Sequence, residues 1–510
     1  MKNFFIKNIT PLLSVVLIFA FASCAKEQSE SAATGVTSEK ILITGSDVNA
    51  TTKTTLNGLV TSWIQTTDKV GIYSDQARTA TGGGGSVVVN AEFSAASSGV
   101  SSSFNGTMFW GIANTSHTFY AYYPFATGSP AATAVPVALP AAQTQAAANN
   151  TDHIGALDFM VATPVTVTSP ANTNAVANEV NLKYNHLFTV LEFQIKGTGQ
   201  LKAVKLSANG TLAFSGGTID ITQATPATGI AYTLASQTGT SNEAVVTLAT
   251  PAILTATNTD TKVFMVVNPG LQTGNCLIGI SVDGTTWKYI TKPALTGGFL
   301  RGNKYVVSVD ASIATEPVDD IDGNTYSTVM IGSQVWMGSN LKTTKYNDGS
   351  AISLVSNATL WSERTDGAYC YYNNSGTNGT IYGALYNWYA VNTGKLCPTG
   401  WHVPTSTDWS TLATTLGGGN YAGGKLKETG TTHWTTTSAA VTNQFGFTAL
   451  PGGRRNLSGT FEYIGTKSMW WTSTINGTFA NYKSIDNNSI VLGGSYDNHK
   501  NGRSVRCVKN

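Results

Sequence analysis

The sequence predicts a mainly β protein with two β-sandwiches in tandem and a third, Trp-rich module after them. Only 11% of the residues are charged, which favours sandwiches that cover their outer faces with Thr, Ser and Asn over helices with charged faces. Short strand-like runs separated by Gly, Asn, Ser and Pro fill residues 41–310 without any 3.6-residue periodicity. Beyond residue 318 the aromatic density rises, and eight of the 11 Trp lie there.

The N-terminus predicts export and lipid attachment. An apolar run from Leu12 to Ala22 follows Lys2 and Lys7 and ends just before Ser23-Cys24. The run is too short for a lasting membrane span, and the small residues before Cys24 suit cleavage ahead of a lipid-modified cysteine. We therefore expect a signal peptide at 1–23, acyl chains on Cys24 and a polar tether over 24–40. The alternative is an ordinary secretory signal that happens to contain a cysteine.

Charge and cysteine usage exclude some classes of protein. The net charge of +2 is spread without a basic run, so nucleic acid is not expected as a partner. No spacing of His or Cys resembles a zinc site, and no cofactor is expected. With Cys24 lipidated, four cysteines remain, and three of them, Cys370, Cys397 and Cys507, lie near the end of the chain. One disulfide is expected among these three, with three pairings open.

The runs before residue 311 divide into two predicted sandwiches, at 41–176 and 177–310. The joint is placed near residue 177, after the Pro- and Thr-rich stretch 163–174. The strand-like runs include 87–90, 180–184, 190–195 and 263–267. Trp63 and Tyr73 are expected to face a core, and His186 is expected to be a hydrogen-bonded core histidine.

A series of short motifs runs through both predicted sandwiches. In chain order they are Thr52-Lys53-Thr54-Thr55-Leu56, Trp63, Asp68-Lys69-Val70-Gly71-Ile72-Tyr73, Phe104-Asn105-Gly106, Tyr122-Tyr123-Pro124, Leu139-Pro140-Ala141-Ala142-Gln143, Asp158-Phe159-Met160-Val161-Ala162 and Arg301-Gly302-Asn303-Lys304-Tyr305. The series resembles the fimbrillin-like lipoproteins of Bacteroides-type bacteria, which are pilus subunits. The resemblance implies two tandem transthyretin-like sandwiches, a place on the cell outer membrane, and other pilin subunits as partners through strand addition.

A short linker at 311–317 introduces the third module, residues 318–510. Its motifs are Asp322-Gly323-Asn324-Thr325-Tyr326, Ile331-Gly332-Ser333-Gln334-Val335-Trp336-Met337, Gly383-Ala384-Leu385-Tyr386-Asn387-Trp388-Tyr389-Ala390, Leu396-Cys397-Pro398-Thr399-Gly400-Trp401-His402-Val403-Pro404, Phe445-Gly446-Phe447-Thr448-Ala449-Leu450-Pro451-Gly452-Gly453 and Ser504-Val505-Arg506-Cys507-Val508. This series resembles the Fibrobacter succinogenes major paralogous domain, a relative of C-type lectins and formylglycine-generating enzymes.

That second resemblance implies an α+β, C-type-lectin-like module with two helices. Residues 406–416, with Thr405 as N-cap, fit one helix, and residues 384–391 fit the other. It also implies a disulfide between Cys397 and Cys507, as in C-type lectin-like folds. We expect few contacts to cross the linker, so that the module folds alone.

The motifs that suggest chemistry are weak. Asp320-Ile321-Asp322-Gly323-Asn324 is similar to the start of a calcium loop, but the later ligands are missing, and a tight turn is the preferred interpretation. The loop and strand motifs of calcium lectins are absent, as is the close cysteine pair of formylglycine-generating enzymes. No catalytic or metal site is expected.

The stretch 454–502 is the candidate binding face, because Tyr, Trp, Asn and Arg recur between Gly-rich turns. The candidate ligand-binding residues are Arg454, Arg455, Tyr463, Trp471, Asn481, Tyr482, Tyr496 and Asn498. The alternative is a β-meander whose aromatics fill the core. Of Trp470 and Trp471, one is expected to face inward and one outward. Replacing Tyr482 or Tyr496 with Ala is expected to weaken binding with little loss of stability.

The first functional hypothesis is a non-enzymatic, lipid-anchored adhesin of the cell surface. It would be an accessory or tip fimbrial subunit whose C-terminal module binds a protein or glycan ligand. The resemblance also implies proteolytic maturation after Arg, but no Arg precedes Arg78, so Lys40 or Lys53 would have to serve. The alternative is a surface glycan-binding lipoprotein of a polysaccharide-uptake system without a pilus. An oxidase related to formylglycine-generating enzymes, which would depend on Cys397, is the third.

Overall fold

The computed structural model describes residues 40–47, 62–81, 85–171, 179–223, 234–257, 260–272, 275–293, 295, 297–438 and 440–510. The predicted signal peptide, Cys24 and almost all of the tether lie outside these residues, as does Lys53. Within the described part of the chain, no helix is both long and apolar enough to span a membrane. The prediction of a mainly β protein is confirmed.

Nineteen strands and one helix, α1 (Asp152–Leu157), precede residue 311 in the described chain. The strands are β1 (Ile43–Asp47), β2 (Lys69–Ser74), β3 (Ala91–Ala95), β4 (Ser101–Asn105), β5 (Ser116–Tyr123), β6 (Val135–Leu139), β7 (Ala142–Gln145), β8 (Met160–Ala162), β9 (Val165–Thr168), β10 (Val180–His186), β11 (Thr189–Lys196), β12 (Gln200–Ser207), β13 (Phe214–Ile219), β14 (Leu234–Thr238), β15 (Glu243–Ile253), β16 (Lys262–Val267), β17 (Asn275–Ser281), β18 (Lys288–Pro293) and β19 (Lys304–Asp310).

Strands β1–β5 and β8–β10 form one sheet in the order β2-β3-β4-β1-β10-β8-β5-β9, and β2 also pairs with β5. The extra pairing closes the sheet on itself, so the first unit encloses its core as a barrel does. Trp63 and Tyr73 are buried as expected. Gly45 in β1 is needed because a Cβ there would lie 2.7 Å from the Phe104 ring.

In the second unit, the sheets β16-β11-β19 and β18-β17-β12-β15-β7 lie on either side of an aliphatic core. Two glutamines of β7 close one side of this sandwich. The Gln143 amide accepts from Val266 N (3.0 Å) and donates to Val266 O (2.6 Å), and Gln145 does the same with Phe264 N and Lys262 O. These side chains satisfy the peptide groups of the β16 edge as another strand would.

The two units exchange strands along the sequence. Strand β10, which follows residue 177, lies in the first sheet beside β1, whereas β6 and β7, which precede it, pair with β13 and β15 of the second unit. A shared apolar cluster, which includes Tyr122, Leu139 and Phe188, fills the space between the units. The sheets therefore do not divide at residue 177. Strand pairing between distant segments leaves no local signal in the sequence, so this exchange of strands could not be predicted from it.

Three of the four quoted strand-like runs form strands. The exception is 87–90, where Val87 makes a single bridge with Arg78 and strand β3 begins only at Ala91. His186 is a buried core histidine as expected, and its Nδ1 lies 2.9 Å from Asp158 Oδ1.

The C-terminal module contains fourteen strands, five α-helices and a 3-10 helix (Tyr372–Asn374) among the described residues. The helices are α2 (Ala358–Glu363), α3 (Gly376–Tyr382), α4 (Trp388–Val391), α5 (Ser406–Thr415) and α6 (Gly419–Leu426). The strands are β20 (Val318–Asp319), β21 (Thr325–Tyr326), β22 (Thr328–Ile331), β23 (Gln334–Met337), β24 (Ser353–Leu354), β25 (Ala368–Cys370), β26 (Leu385–Tyr386), β27 (Trp401–His402), β28 (Gly452–Arg455), β29 (Phe461–Ile464), β30 (Lys467–Asn476), β31 (Phe479–Asp486), β32 (Gly493–Asp497) and β33 (Val508–Lys509).

One of the two predicted helices is confirmed and the other is wrong over half its length. Helix α5 starts after Thr405, whose hydroxyl accepts from Asp408 N while the Asp408 carboxylate accepts from Thr405 N. In the segment 384–391, by contrast, Leu385 and Tyr386 pair with β25 as a strand. Only α4 is helical, because the Asn387 side chain caps it from within the segment. The module also holds more helices than the two expected.

The predicted linker is bonded to both of its neighbours. Thr315 pairs with Tyr289 on the outer edge of β18, and its hydroxyl donates to Thr328 O of the module (2.8 Å). Farther along the joint, Asn275 Nδ2 donates to Thr448 Oγ1 (2.9 Å). Gly446 approaches Thr291 so closely that a Cβ would lie 2.4 Å from it. The expectation that few contacts cross this region is wrong, because these contacts join the second sandwich to the C-terminal module and Thr315 is buried.

Candidate functional site

Seven of the eight candidate binding residues lie on the hairpin β28–β29 and on the three-stranded sheet β30-β31-β32, and Asn498 directly follows β32. In this sheet Asn481 is directly opposite Tyr496, and Tyr482 is opposite Ser495. Successive residues of a strand point to opposite faces. Tyr482 and Tyr496, which were predicted to act together, therefore lie on opposite faces of the sheet.

Two candidate residues, Trp471 and Arg455, are buried, which is a correction to the predicted face. Trp471 is 0% exposed, and its Nε1 donates to Tyr386 O (2.9 Å). The Arg455 guanidinium donates to the backbone carbonyls of Val355, Ser356 and Gly459. Neither side chain is available to a ligand, since both serve to hold loops of the module together.

Trp470 is buried as well, so the expectation that one of the two tryptophans faces outward is wrong. Trp471 belongs to the cluster around Trp388, whereas Trp470 packs in the cluster around Trp409 and Trp336 on the other side of β30. The physical reason is that β30 lies between two apolar clusters, a situation in which both faces of a strand are buried.

The inner face of β31-β32 carries a network of charges. The Arg503 side chain is fully buried, its guanidinium lies 3.9 Å from the centroid of the Tyr482 ring, and it is paired with Asp497. Asp497 also accepts from Arg454 (2.9 Å), which in turn is bonded to Glu462. Burial lowers the pKa of Arg503 to about 10. The predicted residues Arg454 and Tyr482 are thus engaged within the protein.

The opposite face of the same strands packs against the start of α5 at Asn481 and is exposed to solvent at its aromatic end. We define the Tyr496 face as Phe479, Asn481 and Lys483 of β31 together with Tyr496 of β32. Phe479 is 39% exposed and Tyr496 is 55% exposed, and their ring centroids lie 5.6 Å apart. Asn481 Nδ2 donates to Ser406 Oγ at the start of α5 (3.1 Å). Of the residues forming this face, the sequence reading named Asn481 and Tyr496 and missed Phe479 and Lys483.

The last two candidate residues lie apart from the Tyr496 face. Tyr463 is 41% exposed on β29, between the cationic groups of Arg454 (5.3 Å) and Lys467 (5.1 Å). Asn498 has a structural contact: its Oδ1 accepts from Lys500 N (3.0 Å) in the turn that follows β32. The structure thus divides the predicted face into separate parts.

Strand β33 is enclosed in the module. Strand β33 lies between β23 and β27 in the sheet β22-β23-β33-β27. Just before it, Cys507 forms a disulfide with Cys397, the pairing that the resemblance implied, with the two Cα atoms 6.0 Å apart. Cys276 and Cys370 are buried free thiols.

A second candidate site is a groove in the second sandwich, on the side away from Gln143 and Gln145. It lies between β18 and β19, the two outer strands of the facing sheets, and has a volume of about 450 Å³. Core side chains including Phe193, Cys276 and Ile278 line its floor. No described strand pairs with the outer edge of β19, so the backbone groups of that edge are open to another chain.

No group of three or more His, Cys, Asp or Glu is placed to hold a metal within the described residues. The segment 320–324 is a tight turn, as preferred: the Asp320 carboxylate accepts from the backbone N–H groups of Asp322 and Asn324 and from the Tyr326 hydroxyl. Its oxygens are therefore occupied within the protein.

Two protein family models match separate parts of the chain. The fimbrillin-like family model matches residues 49–321, more than half of the chain, and the protein belongs to that family. The Fibrobacter succinogenes major domain model matches residues 329–509. Both matches agree with the resemblances read from the sequence. Membership of the fimbrillin-like family supports a fimbrial or adhesive role at the cell surface.

Comparison with curated proteins found no similar sequence. Among solved structures, a Bacteroides uniformis protein assigned to cell adhesion has 17% identity and a TM-score of 0.34, over 53% of this chain and 92% of the other. A fimbrial protein of Bacteroides ovatus has 11% identity and a TM-score of 0.26, over 93% and 99%. A fimbrial assembly protein of Parabacteroides distasonis has 12% identity and a TM-score of 0.27, over 56% and 97%.

Proposed function

We propose that this protein is a lipid-anchored, non-enzymatic adhesin of the outer membrane that ends a fimbria, with the C-terminal module facing the ligand. The observation that carries the proposal is the bonding of the C-terminal module to the second sandwich at Thr315. Fimbrial subunits that assemble by strand addition must give an extended segment to a neighbour. The segment that follows β19 here continues directly into the C-terminal module, which would obstruct such a donation.

Release of β33 would be costly. It would break the pairing of Val508 with Trp336 and His402, and it would leave Cys507 tied to Cys397. A disulfide closing a loop of this length contributes on the order of 4 kcal/mol. β33 is therefore poorly suited for donation to a neighbour, which supports an end position.

The groove between β18 and β19 supports the accepting role. Its floor is apolar and the β19 edge is unpaired among the described strands, so an extended segment of another pilin would gain both main-chain hydrogen bonds and apolar burial. Proteolytic trimming, if it accompanies assembly, falls to Lys40 or Lys53 in this proposal. Cleavage after Lys53 would release β1, whereas cleavage after Lys40 would retain it.

The anchor is assigned to Cys24, on the strength of the apolar run and the small residues before it. An oxidase role for Cys397 is disfavoured because its sulfur is engaged in the disulfide. Recognition rather than catalysis is therefore assigned to the C-terminal module.

Immunogold labelling of intact cells with antibody against residues 318–510 tests the placement. The expected result is one cluster of gold at the free end of each fimbria. Labelling spread along the shafts would overturn the end position, and labelling of cells that carry no fimbriae would support the alternative below.

The second candidate function is a surface glycan-binding lipoprotein of a polysaccharide-uptake system. The exposed Phe479–Tyr496 pair favours it, because an exposed aromatic ring offers an apolar face on which a sugar ring can stack. Growth of a deletion strain on purified polysaccharides separates the two functions. A growth defect on one polysaccharide, with fimbriae unchanged, would favour uptake.

A further inference from the structure

The Tyr496 face combines an exposed aromatic pair with a cation that has no counter-charge. The residues on β31 are Phe479, Asn481 and Lys483, at every second position, and Tyr496 is directly opposite Asn481 on β32. Since alternate residues share a face, all four side chains start from the same side of the sheet. They form one continuous surface beside the first turn of α5, to which Asn481 is bonded.

Lys483 differs from most cations of the module. Lys467 is paired with Asp486, Lys395 with Asp348, and Arg454 with Glu462 and Asp497. Lys483 is only partly exposed, and its ammonium group makes no hydrogen bond or ion pair with any described residue. Burial without a compensating carboxylate lowers its pKa from the ordinary value. A half-buried ammonium of this kind gains from a carboxylate that a ligand supplies.

The backbone of β32 keeps the space over this cation clear. Gly494 is opposite Lys483, and a Cβ at Gly494 would lie 2.3 Å from the Tyr482 carbonyl oxygen and 3.1 Å from Lys483 Cδ. The backbone of β31 therefore excludes a side chain at this position, and only backbone lies beside the Lys483 stem. Asn481, between Lys483 and the aromatic pair, has an Oδ1 that accepts no hydrogen bond from the described residues.

The spacing of these groups suits one sugar ring. Two residues along a strand are about 7 Å apart, which is close to the span of a pyranose with an exocyclic carboxylate. The apolar C–H face of a pyranose stacks on an aromatic ring, and its hydroxyl groups pair with an amide such as that of Asn481. No carboxylate belongs to the Tyr496 face; Asp497, the nearest in sequence, points to the opposite face toward Arg503.

We infer that the Tyr496 face binds an acidic saccharide, with the sugar ring on Tyr496 and Phe479 and its carboxylate at Lys483. The inference rests on the proposed role of the C-terminal module in recognition and names the ligand class of that module. Sialic acids and uronic acids share the required carboxylated pyranose. The binding experiment includes both, so that the source of the acid is resolved by the result.

The test uses the mature full-length chain, immobilised, with three soluble probes: 3′-sialyllactose, a hyaluronan tetrasaccharide and neutral lactose. At least one acidic probe is expected to bind about tenfold more tightly than lactose, since a hydrogen bond to a charged group is worth that much. Lys483→Gln is expected to remove this preference, and Tyr496→Ala to weaken the acidic probe about five- to tenfold.

Matched controls come from the Tyr463 patch. Tyr463→Ala removes a comparably exposed aromatic ring, and Lys467→Gln removes a cation that already has a partner; both should leave binding unchanged. Thermal melting of each variant checks that the fold is retained. Should Lys483→Gln fail to fold, Lys483→Arg, which keeps the charge, is expected to retain the preference for acid.

Equal binding of acidic and neutral probes, a preference that survives in Lys483→Gln, or no binding of any probe to the folded chain would overturn the inference. None of these results would change the expected position of the gold label on the fimbria, because the labelling does not depend on ligand binding. The ligand class and the end position can therefore fail separately.

Discussion

The Arg503 guanidinium lies 3.9 Å from the centroid of the Tyr482 ring, and the Arg503 side chain is completely buried. Tyr482 thus covers a cation that would otherwise meet solvent on one side. The ring also packs edge-on against Trp471, with centroids 6.5 Å apart. Tyr482 is part of the core boundary, and the expectation that it contributes little to stability does not fit this position.

Tyr482→Ala should lower the free energy of unfolding by about 2 kcal/mol, because it removes a half-buried ring and opens the Arg503 cation to partial solvation. Tyr482→Phe keeps the ring and should cost less than about 1 kcal/mol. Urea unfolding of both variants and of Tyr496→Ala is the measurement. Equal losses for Tyr482→Ala and Tyr496→Ala would contradict the assignment of Tyr482 to the core boundary.

The disulfide predicts a redox effect on stability. Cys397→Ser opens a link between residues 110 apart in sequence, and the chain-entropy model gives a loss on the order of 4 kcal/mol. Differential scanning calorimetry of the oxidised protein should show the high-temperature transition lowered in the variant. Dithiothreitol should lower that transition in the native protein and leave the variant unaffected; a native transition indifferent to dithiothreitol would be inconsistent with this role.

The hydrogen bonds between the Gln143 side chain and the edge of β16 give a third prediction. Gln143→Leu fills the same space but leaves Val266 N and O without partners in the interior. Unsatisfied buried backbone groups cost about 1–3 kcal/mol. Gln65→Leu, at an exposed position, is the control and should change the free energy of unfolding by less than about 0.5 kcal/mol. A Gln143→Leu protein as stable as the control would show that water replaces the lost bonds.

The first unit should lose stability in mild acid. His117 is fully buried, its Nε2 accepts from Gly111 N (3.0 Å), and burial lowers its pKa below 6.5. The unfolded chain binds the proton more readily than the folded one. The contribution of neutral His117 is therefore complete above the unfolded pKa and is lost as the pH falls through 6.5 toward the lower folded value.

Chemical unfolding between about pH 7.5 and about pH 5 measures this loss. His117→Gln replaces the acceptor with a group that does not titrate, and its stability should fall less steeply over the same range. Identical slopes for the two proteins would assign the acid sensitivity to other groups.

The joint determines where a stable C-terminal fragment begins. Thr315 and Glu316 precede the module as it was predicted, yet Thr315 Oγ1 donates to Thr328 O and Thr328 Oγ1 donates to Glu316 O. A fragment 311–510 should therefore melt at a higher temperature than a fragment 318–510. Matching melting curves would mean that these bonds form only when the second sandwich is present.

Features set by nearby residues could be predicted from the sequence. The capping box of Thr405 and Asp408 marks the start of α5, and the turn residues at 320–324 mark a turn. Features set by distant pairing could not. No residue near β7 indicates that this strand pairs with β15, about a hundred residues later. Likewise, no residue near Leu385 indicates that it pairs with Cys370 in a strand.

The candidate site divides in the same way. Aromatic and amide residues marked the region, but the face that each occupies depends on the register of β31 with its neighbours and on apolar clusters on both sides of β30. Phe479 and Lys483 were overlooked although they alternate with Asn481 along the strand. Both would have been identified by taking every second position of the strand on either side of Asn481.

Thr315 is bonded on one side to Tyr289 and on the other to Thr328. In the proposed adhesive role, this would change how the C-terminal module meets a surface. A module on a loose tether samples many orientations and must give up that freedom when it binds, which weakens each attachment. Here the orientation is fixed before any encounter. Tension on a bound ligand would pass through Thr315 and Asn275 into the sandwich strands, instead of first extending a slack segment of chain.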